Sequence, residues 1–493
     1  MRSERPPLQS SDGGVEMRVR IGLAVAPALL VGACDLAPAY HPPAVEVPAH
    51  FKEAGNWQLA QPSDGAPHGD WWRTFHDRTL DELEPQVAAA NPDLAAALAN
   101  YTQAQDYILE AQSAFYPEVD NEDTFSGNKQ SAHRPLRSPN QPTYYGANTI
   151  QATASYEVDL WGRIRDRVKA AEAQAQASAA DLESVRISLQ GELARDYVSL
   201  RGLDLEAKLL RDTVAAYQTA LQLTEERLTG KIAPPIDVAR AEVQLKNTQG
   251  LLAALSGPRA AYEHAIATLI GKPASNFSIA PSTKLIQVPN FPAGVPSSLL
   301  ERRPDVAAAE RATAAANESI GIARAAFFPT LTLNLLAGEQ DTGLNLISLP
   351  NSMWSVGPSV YLPLFDAGLR RAQLAVKEAA YLQTVAQYRS TVLHAIQEVE
   401  DDLASLHSLQ TEGVDLAGAA VAAEQAANLA LTSYREGAVN YLDVVTAQTA
   451  AFDAERSSLL VQTQRLQTSV GLILALGGGW SSTELAGVNA VDP

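Results

Sequence analysis

The sequence contains two long copies of one pattern. Asn91–Leu94 reads Asn-Pro-Asp-Leu and leads to Phe115–Pro117, while Arg303–Val306 reads Arg-Pro-Asp-Val and leads to Phe327–Pro329. In both copies the two prolines lie 25 positions apart. Further pairs follow in the same order: Trp161–Arg163 with Ala367–Leu369, Gly230 and Asp237 with Gly437 and Asp443, and Leu269–Gly271 with Ala475–Gly477. This spacing far exceeds the 20–50 residues of solenoid repeats, so it predicts a duplicated half-domain with structural repeats at 70–279 and 280–477.

The composition argues against one large class of partners. The formal net charge of the chain is −19, whereas binding to nucleic-acid phosphates requires a surplus of Lys and Arg. We therefore expect no nucleic-acid partner. Aromatic residues make up only 6% of the chain, and Ala dominates stretches such as 170–180 and 419–430. Small side chains of this kind suit helices that approach one another closely.

The N-terminal region predicts secretion and a lipid anchor. Basic residues at Met17–Arg20 precede an apolar run at Ile21–Val31, and Gly32-Ala33-Cys34 follows. This resembles a bacterial lipoprotein signal, with Met17 as the true start, residues 1–33 as the signal region and Cys34 as the acylated residue. The alternative is an ordinary signal peptide followed by a free thiol. Residues 34–69 then form an extended, Pro-rich leader, and residues 478–493 form a C-terminal tail.

Two regions alternate apolar and polar residues with the period of a half-buried strand. In the first half the clearest alternation is Thr149–Val158, with a weaker strand near Val119–Ser126. In the second half it covers Thr330–Leu335 and Trp354–Leu362. These patterns predict one β-hairpin at about 117–160 and another at about 330–364.

A very long helical stretch follows each predicted hairpin. Residues 162–228 and 368–434 contain no proline, and a helix of that length would extend about 100 Å. Helices much longer than 25 residues occur in coiled coils or paired bundles. Each stretch is followed by a second helix suited to pair back antiparallel, which ends at Gly271 or Gly477.

Four short strands in a secreted chain cannot close a barrel, and open sheet edges are not tolerated in lipid. Three chains with four strands each would supply twelve strands, an even number that suits a transmembrane barrel. The sequence thus predicts an α+β membrane protein in which three chains would share a 12-stranded transmembrane β-barrel and the paired long helices would project from the membrane as a tube.

Several segments resemble the outer-membrane efflux protein family, in particular the TolC-like outer-membrane factors of the NodT/OprM-type lipoprotein branch. The resemblance is carried by Leu300–Val306, Ala325–Pro329, Tyr156–Arg163, Val356–Ser359, Pro38–Pro43 and Asp70–Trp72. It implies a homotrimer that is lipid-anchored in the outer membrane, with a trimeric 12-stranded transmembrane β-barrel continuous with a long α-helical periplasmic barrel. It also implies a periplasmic adaptor protein and an inner-membrane pump of the RND type as partners. The channel would then be the exit duct for small molecules such as drugs and toxic compounds.

The same resemblance implies a gate at the periplasmic ends of the long helices. The implied gate residues are Tyr434, Leu442, Asp443 and Thr446 of the second half and Asp237 of the first half. Thr446 stands where one familiar pattern has a second acidic residue, and Val439 stands where some members carry an arginine that pairs with the first-half aspartate. The alternatives are that Asp237 and Asp443 cap helices and that Tyr434 only packs.

Other functions are less well supported by the sequence. The eight histidines are dispersed without metal-ligand spacing, and neither a Gly-x-Ser-x-Gly motif nor a phosphate loop is present. We therefore expect no enzyme activity, cofactor or metal. A type I protein-secretion duct remains an alternative, as does a periplasmic coiled-coil adaptor, although the paired hairpins argue against an adaptor.

Overall fold

The computed structural model describes residues 35–54, 69–135, 138–289 and 302–481. The first half contains helices α1 and α2, strands β1 and β2, and helices α3, α4 and α5. The second half contains α6, β3, β4, α7 and α8. Their bounds are α1 Arg78–Ala90, α2 Pro92–Ser113, β1 Glu118–Lys129, β2 Tyr144–Val158, α3 Arg163–Thr229, α4 Pro235–Ala254, α5 Ser256–Leu269, α6 Pro304–Ala325, β3 Thr330–Asp341, β4 Ser352–Tyr361, α7 Leu369–Arg435 and α8 Tyr441–Ala475.

The predicted duplication is visible in the lengths of these elements. Helices α2 and α6 both have 22 residues, β1 and β3 both have 12, and α3 and α7 both have 67. Helix α8 has 35 residues and matches α4 and α5 together, because both stretches start and end 206 positions apart. The repeat boundaries at 70–279 and 280–477 remain predictions, since residues 290–301 lie outside the described ranges.

Each half also makes a similar contact at the start of the helix that precedes its β-hairpin, α2 in the first half and α6 in the second. Asn91 caps α2, because its Oδ1 accepts hydrogen bonds from the backbone N–H groups of Asp93 and Leu94 at 2.8 and 3.0 Å. Its Nδ2 also donates to the carbonyl oxygen of Leu269 at 2.8 Å. In the second half, Nη1 of Arg303 donates to the carbonyl oxygen of Ala475 at 3.1 Å. Each half is thereby closed by a side chain that reaches the end of its own return helix.

The strands form one antiparallel sheet in the order β1-β2-β3-β4. Register assigns the faces: one row across the sheet consists of Val119, Ala154, Leu335 and Val356. The next row, on the opposite face, consists of Glu118, Ser155, Asn334 and Gly357. In these rows one face is apolar and the other polar, as the alternation predicted, whereas β1 also places Asn121 and Asp123 on the face of Val119. Both hairpins are present. Pro358 lies in β4, which is an edge strand of the sheet within one chain.

The long helices are the longest elements of the described chain. At 1.5 Å per residue, α3 and α7 each extend about 100 Å. Within the described ranges, no helix is long and apolar enough to cross a membrane. Both helices end in the same type of turn. After α3 the N–H of Ile232 donates to the carbonyl oxygen of Arg227, and after α7 the N–H of Ala438 donates to that of Ser433. The left-handed residue of this turn is Lys231 (φ 58°) in the first half and Gly437 (φ 81°) in the second.

This geometry differs from the pairing of Gly230 with Gly437 that the sequence suggested. Gly230 has φ −71° and terminates α3 in a right-handed conformation. The structural equivalent of Gly437 is therefore Lys231, and the offset of 206 holds through the turn. The sequence comparison paired Gly437 with Gly230 because both are glycines, whereas the residue with the same backbone conformation is the next one, Lys231.

The main hydrophobic core surrounds the middle of α3. It consists of residues from α3 itself, from the turn Trp71–Phe75, from α1, from the end of α5 with the connector that follows, and from the C-terminal part of α8. A buried polar network closes it, in which Asp204 accepts hydrogen bonds from Arg201 Nη1 at 3.0 Å and Arg259 Nε at 2.8 Å. The backbone N–H of Ser282 donates to the same carboxylate at 3.0 Å. The network therefore fixes the start of the connector between the two halves to α3.

The described start of the leader lies against α3 and α6 without regular secondary structure. Lys169 Nζ donates to Asp35 Oδ2 at 2.5 Å, and Asn317 Nδ2 donates to the carbonyl oxygen of Pro38 at 2.7 Å. The hydroxyl of Tyr40 donates to Oε1 of Glu310 on α6 at 2.6 Å. Both Cys34 and residues 55–68 of the predicted leader lie outside the described residues.

A buried carboxyl group lies beneath this segment. Asp166 is fully buried, and burial, with the nearby carboxylates of Asp35 and Glu318, raises its pKa to about 7. Gly321 of α6 makes room for it, because a Cβ atom there would lie 2.2 Å from Oδ2 of Asp166 and 2.8 Å from Cβ of Ala37. The glycine therefore allows leader, α3 and α6 to meet.

Candidate functional site at the helical tips

The turns that join α3 to α4 and α7 to α8 lie side by side. Their shared core consists of Ala241, Tyr434, Tyr441 and Val444. The rings of Tyr434 and Tyr441 have centroids 5.2 Å apart and an interplanar angle of 60°. Both rings are almost completely buried, with exposed fractions of 2% and 1%. At this end of the molecule, α3 with α4 forms the first helical hairpin and α7 with α8 forms the second. The second helical hairpin therefore supplies the aromatic side chains of this contact, and α4 of the first supplies the surface they pack against.

The structure brings two of the implied gate residues together. The hydroxyl of Tyr434 lies 3.5 Å from Oδ2 of Asp237, and Nη1 of Arg240 lies 3.8 Å from Oδ1 of the same carboxylate. Burial and the Asp237 carboxylate raise the pKa of Tyr434, so its hydroxyl stays protonated and can donate. Both contacts are long, and the buried carboxylate is therefore held weakly.

Neither aspartate is the N-cap of its helix. Pro234 occupies the N-cap position of α4 and Asn440 that of α8, where the Asn440 side chain accepts a hydrogen bond from the backbone N–H of Asp443 at 3.3 Å. Asp237 and Asp443 are both the third residue of their helices, where a carboxylate still interacts favourably with the helix dipole. The capping alternative thus reduces to this weaker contribution.

The other three implied gate residues lie on the opposite side of α8 from the tyrosines. Leu442 is 47% exposed in the single chain, and Asp443 and Thr446 are also exposed. The hydroxyl of Thr446 donates to the carbonyl of Leu442 at 2.9 Å, inside the helix. These side chains share one face, and each is free to meet its copies in other subunits.

Two residues at the tips were missed in the sequence. The guanidinium Cζ of Arg227 lies 4.7 Å from the ring centroid of Tyr434, and Tyr441 packs against the same ring. No local pattern indicates these contacts, because Arg227 and Tyr434 are separated by most of the second half of the chain. The only signal was indirect: Val439 stands where the resemblance implies an arginine.

The model of the outer membrane efflux protein family matches residues 83–272 and 295–478. The chain belongs to this family. The cation efflux system protein CusC of Escherichia coli is 28% identical over 463 residues, which cover 92% of this chain and 97% of CusC. The outer membrane protein OprJ of Pseudomonas aeruginosa is 30% identical over 459 residues, covering 92% and 94%. The open-state structure of the MtrE outer membrane channel of Neisseria gonorrhoeae superposes with a TM-score of 0.79 at 26% identity, covering 91% and 99%.

Family membership confirms the main interpretation of the sequence. The protein is an outer-membrane efflux component, with four strands per chain and a long helical part that extends into the periplasm. The reading as a coiled-coil adaptor is wrong, because the matched family is one of outer membrane efflux proteins. The roles of the gate residues and the acylation of Cys34 stay predictions.

Proposed function

We propose that three copies of this chain form an efflux duct whose periplasmic entrance is closed by the helical tips. The observation that carries the trimer is the sheet itself: β1 and β4 are its two edges, and each pairs on one side only. In lipid such edges must be paired, so β4 of one copy joins β1 of the next. The apolar face then contacts lipid and the polar face lines the duct.

At the entrance, Leu442 and Asp443 of three copies form a ring that narrows the duct. Like charges at close range repel, so this ring needs another contact to hold it. The contact between Tyr434 and Asp237 supplies it inside each chain. Thr446 lies one turn further along the same face and lines the duct next to the ring.

Single-channel conductance of the reconstituted trimer tests this gate. We expect Leu442→Ala and Asp443→Ala to raise conductance, since each removes part of the ring. Ile236 is the matched control because it is the second residue of α4, as Leu442 is of α8, and it is 54% exposed. Ile236→Ala should leave conductance unchanged. Equal conductance in all three variants and the unaltered protein would contradict the gate.

The substrates are small molecules delivered by an RND-type pump, and the duct has no catalytic activity. Support comes from the family description and from the efflux names of the relatives. Deletion of the gene should raise the intracellular accumulation of a cationic dye, and the Ile236→Ala form should restore export. A strain that loses secretion of a protein but exports the dye normally would favour the type I secretion alternative.

Cys34 carries the lipid anchor. The salt bridge between Asp35 and Lys169 supports this, because Lys169 lies in the second turn of α3, just after β2 leaves the sheet. An acyl chain on the preceding residue would then lie at the periplasmic surface of the membrane. Mass spectrometry of the N-terminal peptide should show an acylated cysteine at position 34. A free thiol that reacts with maleimide would support the alternative of an ordinary signal peptide.

A further inference from the structure

Arg227 connects the tips of the two hairpins. It lies in the last turn of α3, and its guanidinium stands over the ring of Tyr434 with 4.7 Å between Cζ and the ring centroid. Its Nη1 donates to the carbonyl oxygen of Arg435 at 3.1 Å. A Cβ atom on Gly437 would lie 3.9 Å from its Nη2. One side chain of the first half therefore contacts the last two residues of α7 and lies next to the turn that follows.

The contacts suit the chemistry of arginine. A planar guanidinium stacks on an aromatic face and donates in its own plane at the same time, which an ammonium group cannot do. Arg227 also lies at the C-terminal ends of two helices, α3 and α7, where the helix dipoles favour positive charge. The carbonyl of Arg435 is one of those left without a partner in the helix, so the hydrogen bond has a second stabilising effect.

The ring of Tyr434 is consequently held at two points. Arg227 covers its face, and Asp237 lies near its hydroxyl. The equivalent of Arg227 in the second half, 206 positions further on, is Ser433, and the equivalent of Tyr434 in the first half is Leu228. The contact therefore has no symmetric counterpart among the described residues.

We infer that Arg227 is a positioning residue of the entrance: it holds Tyr434 against Asp237 and so keeps the second hairpin next to the first in the narrow state. The inference rests on the proposed gate. Arg227 has this role in a chain in which Val439 stands where the resemblance implies an arginine.

Conductance of reconstituted trimers tests the inference, with Arg435 as the matched control. The Arg435 side chain is exposed at the same tip, and only its backbone carbonyl takes part in the contact. Arg227→Ala and Arg435→Ala thus remove the same charge, but only the first removes the contact. We expect Arg227→Ala to raise the open fraction about two- to fivefold per chain, the factor that a partly exposed cation–π contact contributes. Arg435→Ala should change nothing.

Two further variants separate positioning from folding. Arg227→Lys keeps the charge and should give an intermediate open fraction, and it decides the question should Arg227→Ala fail to assemble as a trimer. In a Tyr434→Ala background, Arg227→Ala should have a smaller effect than in the unaltered protein, because only its hydrogen bond to the carbonyl of Arg435 is left to lose. Equal effects of Arg227→Ala and Arg435→Ala overturn the inference. If Leu442→Ala raises conductance while Arg227→Ala does not, the gate stands and the inference fails; if neither does, the proposed gate itself fails.

Discussion

Asp204 is the centre of the buried polar network that fixes the connector between the two halves. Its carboxylate is 3% exposed and accepts hydrogen bonds from Arg201, Arg259 and the backbone of Ser282. Asp204→Ala would leave two guanidinium groups without their shared anion and would release the connector. Removal of one partner from a buried ion pair costs about 3–5 kcal/mol.

The lower end of this range applies here. Arg259 has a side chain that is 21% exposed, and it still donates to the carboxylate of Glu263 and the carbonyl of Ile279. Arg201 keeps the carbonyl of Ala280 at 2.8 Å. We therefore expect a loss of about 3 kcal/mol, which at about 2 °C per kcal/mol lowers the melting temperature by about 6 °C.

The assay is the loss of helical circular dichroism on heating the detergent-solubilised protein, at one scan rate for all variants. Asp212→Ala on the same helix is the matched control, since Asp212 forms an exposed pair with Lys208 at 2.6 Å. Such a pair contributes about 0.3–0.5 kcal/mol, so the control should shift by about 1 °C or less. A shift for Asp204→Ala no larger than the control would refute the reasoning. Asp204→Asn should fall between the two, because it keeps an acceptor but loses the charge.

Three further outcomes are expected. Glu118, Asp120 and Glu122 alternate onto the polar face of β1, so their replacement by the corresponding amides should reduce cation preference, measured as the reversal potential in a salt gradient. The raised pKa of Asp166 means that its contribution to leader docking is complete below its unfolded pKa of about 4 and is lost as pH rises through about 7. Protection of the amides of residues 35–40 from hydrogen exchange, expressed relative to the intrinsic exchange rate at each pH, should therefore decrease between about pH 4 and pH 7, and Asp166→Asn should remove this decrease. Lys231→Gly should stabilise the protein by about 1 kcal/mol, measured as a rise in melting temperature, because it relieves a left-handed backbone at φ 58°.

The elements that the sequence predicted are those with a local cause. Thr149–Val158 alternates with period two and lies in β2, and the proline-free stretch 162–228 almost coincides with α3. The left-handed conformation of Lys231 was not predicted, because Gly230, one residue earlier, has the same residue type as Gly437 although its backbone conformation differs. The contact between Arg227 and Tyr434 was not predicted either, since it depends on how two hairpins pack and leaves no mark in either segment.

The asymmetry of the tips has a consequence for opening. The first hairpin contributes charged side chains, Arg227 and Asp237, and the second contributes the aromatic ring of Tyr434 that lies between them. The backbone repeats at a constant offset, and at that offset Ser433 is the equivalent of Arg227 and Leu228 is the equivalent of Tyr434. A serine and a leucine can form neither contact. The two hairpins therefore cannot exchange roles. In the proposed gate, opening withdraws Tyr434 from both first-half side chains, and because each contact lies within a single chain, this step can occur in one subunit before its neighbours.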